Sequence, residues 1–228
     1  MGKLGAFVRL DFMTVKPYFT IKNLLIYVAL AVYMAIMSRN IGTAIGIGLM
    51  IATLNIGYPF ALGEKSNMDA LYATLGADRK TIVKGRYVFS LLLNVCAIVF
   101  VTVFSLIALT FTSFFGSSEW VLVESLGATM AIASLFMIVQ SIQIMMFFKL
   151  GYAKAKFFSI LPFFFISAFV AYLVMSTRGS GMPEGVNAFI QSFVSNGLAI
   201  ATATIALLAI VIFISYKLSL VFYLKREF

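Results

Sequence analysis

The sequence predicts an all-α membrane protein of six transmembrane helices, and three observations lead there. Of its 228 residues 62% are hydrophobic and 11% charged, with a mean hydropathy of +1.05, whereas soluble domains carry roughly 25% charged residues. The apolar residues fall in long runs near the ~20 residues that a helix needs to cross a bilayer. The basic residues alternate in density from one connection to the next. Fifteen of the seventeen Lys and Arg lie in the N-terminus, after the second run, after the fourth run and in the C-terminus, leaving Arg39 and Arg178 for the other side. By the positive-inside bias both termini are cytoplasmic. Residues 1–228 then form a single transmembrane domain.

The chain opens with an amphipathic stretch, 1–22, in which Leu4, Phe7, Val8, Phe12 and Val15 alternate with Lys3, Arg9, Asp11 and Lys16. It reads as an interfacial helix, basic face outward, or as an ordinary basic tail; the aromatic residues favour the interface. The first span is expected at about Leu24 to Ser38 and the second at about Ile41 to Leu62, with Arg39 and Asn40 between them. Gly42 and Gly46 have the spacing of a close-approach motif. Pro59 is expected to kink the cytoplasmic end of the second span.

The longest polar interruption follows. Residues 64–87 hold five of the seventeen basic and three of the eight acidic residues. Within them Met68, Leu71, Tyr72 and Leu75 repeat at i, i+3, i+4 and i+7, one face of a helix. Ser66 or Asn67 can cap its start, and Asp69 lies in its first turn, where the helix dipole favours an anion. Gly76 stands just past its end. Asp78 can cap a second helix, Arg79 to Arg86, that runs into the third span, about Tyr87 to Phe115. The fourth span, about Leu126 to Phe148, carries Gln140 and Gln143, which could line a pathway or bond a neighbouring helix. The fifth is about Phe157 to Ser176. Residues 177–196 are too apolar for a free loop and too short to span, as for a re-entrant or interfacial outer segment. The sixth span is about Leu198 to Tyr216.

Several function classes lose support. No charged residue lies in the middle of a span, where ion-coupled carriers place titratable groups. The chain has no histidine and one cysteine, Cys96, so it lacks the commonest general base, a Ser–His pair and any cysteine-cluster metal site. It contains no GxxxxGK[ST] phosphate loop and is no P-loop ATPase itself. Its net charge of +9 is scattered over loops, which does not suggest nucleic acid. A transporter of this kind draws energy from another subunit, and 64–87 is the one connection built to dock it.

Those residues resemble the permease subunits of the type-2 ABC exporter family, closest to a short six-span branch that exports peptides, bacteriocins and toxins from bacteria. The resemblance rests on Glu64-Lys65, on Leu71-Tyr72-Ala73-Thr74-Leu75 and on Arg79-Lys80-Thr81-Ile82-Val83-Lys84-Gly85-Arg86-Tyr87. Gly76 departs from it, standing where a proline is usual. The resemblance implies that Met68 to Leu75, with Asp69, forms a coupling helix seated in a nucleotide-binding subunit. Arg79, Lys84 and Arg86 would face that subunit or lipid phosphates. Two permeases, identical or related, would join two ATP-binding subunits in the bacterial plasma membrane. ATP and Mg would be held by the partner, and no cofactor by this chain. Asn55, Tyr58, Phe163, Phe164 and Phe165 would line the path, unless they are ordinary core. Competing readings are a membrane scaffold or sensor that recruits a partner through the same loop, and a carrier that works alone.

Overall fold

The computed structural model describes residues 3–38, 41–66, 68, 72, 78–114, 122–158, 161, 185 and 197–225, and within them only helices and turns occur. Helix α1, Lys3–Val15, passes through a 3-10 turn, Lys16–Tyr18, in which Pro17 occupies an early position that needs no N–H. Thr20 then starts α2, Ile21–Ser38, accepting from the Asn23 amide at 3.4 Å. Helix α3, Ile41–Ile56, breaks at Gly57, and α4, Tyr58–Lys65, resumes with Pro59 in its first turn. The interruption thus falls where Pro59 withdraws a donor and its ring crowds the preceding turn.

Asp78 caps α5, Arg79–Phe114, by accepting from the Lys80 amide at 3.1 Å. The 36 residues of α5 give about 54 Å at 1.5 Å per residue, against a hydrocarbon core of ~30 Å. Its basic first turns therefore extend beyond the apolar layer. Helix α6, Leu122–Leu150, stops at Gly151, whose φ of 79° is left-handed and whose amide donates to Phe147 O at 3.0 Å. Glycine takes that conformation without a Cβ clash. Helical residues 152–158 follow, and α7, Gly197–Leu224, closes the described chain.

The bundle is built on α3, α5 and α6, with α2 laid against α3 and α5, and α7 against α6 and α5. Helix α1 lies across α5 and α4. One core cluster joins Val15, Ile56, Val83, Phe89, Phe148 and Tyr223; a second joins Ala31, Ala44, Leu49 and Val101. Polarity is inverted relative to a soluble bundle. On α7, Ser215, Ser219 and Tyr223 recur at i, i+4 and i+8 and are buried, while Ile205, Ile210, Phe213 and Ile214 are exposed. Such a helix suits lipid outside and hydrogen bonds inside. Among the described residues four stretches are long and apolar enough to cross a membrane: Ala44–Lys65, Arg79–Phe104, Ile132–Leu150 and Thr202–Leu224; α2 contributes a shorter apolar helix. The expected fifth span and the 177–196 segment lie almost wholly outside the described residues.

Gln140 bonds the neighbouring helices. Its amide bonds Thr53, Ser90 and Asn94, tying α3, α5 and α6 together. Of the motif's two glycines the structure describes the surroundings of Gly46, and the tighter approach falls two residues further on. A Cβ on Gly46 would meet only Ile132 Cγ2, at 3.6 Å, but one on Gly48 would stand 2.6 Å from Val101 Cγ2 on α5. Valine's branched side chain is stiff at χ1, so the helices must part. Gly48→Ala should cost about 1–3 kcal/mol, read as a lowered thermal midpoint in detergent. Val101→Ala in the same chain should recover most of it.

Candidate functional site

The polar stretch 64–87 works as a clamp at the end of the bundle where the basic residues gather. Of its described residues, Glu64 holds residues 152–158, Tyr72 and Arg86 hold α1, and Arg79 and Tyr87 hold α7, while Lys65, Lys80 and Lys84 are exposed. Glu64, at the end of α4, accepts from the amides of Tyr152 and Ala153 at 2.6 and 3.2 Å. It thereby caps the helical residues 152–158, because an acidic side chain satisfies the orphan donors of a helix start. Gly57 leaves room for this junction, since a Cβ there would stand 3.0 Å from Tyr152 Cε2.

Arg79 does the converse at the end of α7. Its Nη1 donates to Tyr223 O at 3.1 Å and Leu224 O at 2.9 Å, with the guanidinium over the Tyr223 ring. A cation on the last carbonyls of a helix satisfies orphan acceptors and complements the dipole.

Arg86 lies seven residues, two turns, further along α5 and points inward. Its Nη1 donates to Asp11 Oδ1 at 2.6 Å and its Nη2 to Pro59 O at 3.3 Å, while the guanidinium stacks over Phe60. Both members of the ion pair are buried, 8% and 3% exposed at the side chain. Burial pushes the Asp11 carboxyl up from 3.8 to about 6, with the Arg86 charge and its hydrogen bond pulling the other way. This corrects the outward orientation implied for Arg86. Asp11 stands on the buried face of α1, and a guanidinium two turns into a long helix reaches that face more readily than solvent.

Met68 and Tyr72 also turn inward. Tyr72 is 5% exposed, packs in the main core cluster and meets Phe7 of α1 edge-on at 5.0 Å; Met68 packs on the same cluster. Tyr72 thereby ties this stretch to α1, with Met68 partly buried beside it. Lys84 is exposed. Asp69, Leu71 and Leu75 lie outside the described residues, as do Phe163, Phe164 and Phe165. Asn55 is buried and donates to Ile51 O at 2.7 Å, within its own helix; Tyr58 is half-buried against the main cluster.

Sequence reasoning missed the Asp11–Arg86 pair and the Glu64 cap. The signal for the first was present: Asp11 is the one acidic residue of α1, on the side of Val8 and Val15, which are also buried. A lone acid on an apolar helix face asks for a basic partner. Glu64 left no such trace, because the amides it caps are 88 and 89 residues away.

Comparison with curated proteins found no match, and neither did comparison with solved structures. A family model described as ABC-2 family transporter protein matches residues 7–223, from the first turns of α1 to the end of α7. It covers nearly the entire chain, including the clamp and every helix it holds, and on that match the chain belongs to the ABC-2 transporter family.

Proposed function

We propose that the chain is the permease subunit of an ATP-driven exporter in the bacterial plasma membrane. It works as a pair of permeases, identical or related, with two ATP-binding subunits that bring ATP and Mg. The cargo is hydrophobic or amphipathic, peptides first and lipids or drugs next. In this reading six helices span the membrane, both termini are cytoplasmic, and 64–87 receives the ATP-binding subunit. The observation that carries it is the family match over 7–223, taken with a sequence that has no phosphate loop of its own.

The mechanism follows from how the clamp is tied. ATP draws the two nucleotide-binding subunits together and displaces residues 64–87. A displacement does work only if the partner docks with different energy in the two states of the permease. The clamp spreads it: to α1 through Tyr72 and Asp11, to α7 through Arg79, and to residues 152–158 through Glu64. The cavity between permeases narrows and cargo leaves outward. The apolar, Met- and Phe-rich composition supports oily cargo, since methionine adapts to varied apolar shapes.

The test is purification from native membranes in mild detergent, with mass spectrometry and an ATPase assay. An ATP-binding subunit should copurify with ATPase activity. Leu71→Asp should release that subunit, a drop in recovery of tenfold or more, while the permease still inserts in the membrane. A chain that purifies alone and without ATPase activity would leave a scaffold or a self-sufficient carrier as the better account.

A further inference from the structure

We infer that the groove between α2, α3 and α5 is a binding site for one acyl chain of an anionic phospholipid from the leaflet at the basic end of the bundle. The groove encloses about 230 Å³ and its walls are almost wholly apolar. It begins at Phe19 and Leu24, at the start of α2, with Leu93 of α5. It ends near Gly48, Val101 and Phe104. From Leu93 to Phe104 is eleven residues, about 16 Å of helix. Half of a ~30 Å hydrocarbon core is about the same length. The groove therefore runs the depth of one leaflet, starting at the interface.

Size and charge select the occupant. A cavity of about 150 Å³ holds a benzene ring, so 230 Å³ takes a stretch of one hydrocarbon chain, the rest lying in the opening, and no helix or folded peptide. Cys96 lines the groove and is exposed, which places the opening toward lipid. Lys16 and Lys22 stand three residues either side of Phe19, and both are exposed. Two cations at the interfacial end attract an anionic headgroup, each contributing about a fivefold preference near a membrane surface.

This site is distinct from the proposed docking of an ATP-binding subunit, and its test needs no partner. The permease alone is reconstituted in nanodiscs holding phosphatidylglycerol or phosphatidylcholine with a photoreactive diazirine in the acyl chain, and adducts are mapped by mass spectrometry. Adducts should concentrate on residues 24–31 and 93–104, with phosphatidylglycerol enriched about fivefold or more over phosphatidylcholine. The lipid-facing stripe of α7 around Ile205 to Ile214 should label equally with both lipids and serves as the internal control. Cys96→Trp, which fills the groove from its exposed wall, should remove the groove adducts and leave those on α7. Lys16→Glu with Lys22→Glu should keep the adducts and abolish the preference. Groove labelling no denser than on α7, or indifferent to headgroup or to Cys96→Trp, would overturn the assignment.

Discussion

Asp11→Leu, which removes both the charge and the acceptor oxygen that a protonated aspartate would keep, should be the most damaging single substitution in the clamp, and more damaging than removing its partner. Arginine does not lose its proton in a protein, so without Asp11 a buried guanidinium is left with the Pro59 carbonyl and the Phe60 ring alone. Breaking a buried pair from one side costs about 3–5 kcal/mol. Removing the base is milder because the acid can take up a proton. In Arg86→Met the lowering influence on Asp11 is gone, the carboxyl is neutral at pH 7, and the loss should stay at about 1–2 kcal/mol. The pair also has a pH signature. Asp11 titrates at about 6 when folded, against 3.8 for an ordinary aspartate. Its folded value is raised, so its contribution to stability is complete below 3.8 and is lost as pH rises through about 6. Between pH 7 and pH 5 the wild type should therefore gain about 1 kcal/mol. The chain has no histidine, the side chain that ordinarily titrates in that window. Thermal midpoints in detergent at pH 5, 6 and 7 decide the matter. Asp11→Leu should be flat across them and Arg86→Met should show its transition above 6. A wild type that loses stability on acidification over this range would refute the account.

What the sequence made legible followed from local rules. Apolar runs located helices α2, α3, α5, α6 and α7, since length and hydropathy suffice to find an apolar helix. Asp78 as a cap, the break beside Pro59 and the amphipathic N-terminal helix were all readable because each depends on a few adjacent residues. The assembly of the clamp was not. Asp11 and Arg86 are 75 residues apart, and Arg79 meets carbonyls 144 and 145 residues on. A basic residue near a membrane boundary reads the same whether it faces phosphate, partner or a buried acid; only tertiary packing separates these. The helical period in 68–75 predicted an apolar face, of which Met68 and Tyr72 are described and pack inward. It carried no information on whether that face meets another protein or this one's own α1, where Phe7 receives Tyr72. The glycines show the same limit, for Gly48 makes a tighter contact than Gly46, through a valine on another helix.

Gln140→Leu should be the costliest change within the apolar part of the bundle. Lipid tails are as apolar as leucine, so no hydrophobic force holds α3, α5 and α6 in register; packing and interhelical hydrogen bonds must do it. Gln140 supplies four of those bonds. Its Nε2 donates to Thr53 Oγ1 at 2.8 Å and Asn94 Oδ1 at 2.9 Å, and its Oε1 accepts from Asn94 Nδ2 at 2.6 Å and Ser90 Oγ at 3.0 Å. The partners do not lose equally. Thr53 still donates to Leu49 O, whereas Asn94, 1% exposed, loses both of its bonds to Gln140. At an average of about 0.6 kcal/mol per interhelical bond, the four bonds come to about 2 kcal/mol, and the stranded Asn94 amide adds about 1–2 kcal/mol. Asn94→Leu added to Gln140→Leu should then restore a good part of the loss, whereas two independent defects would add. Unfolding by sodium dodecyl sulfate in mixed micelles measures both. Recovery in the double variant identifies the pair as a register pin, specific before it is stabilising. Strict additivity would place the register elsewhere, at the α3–α5 contact through Gly48.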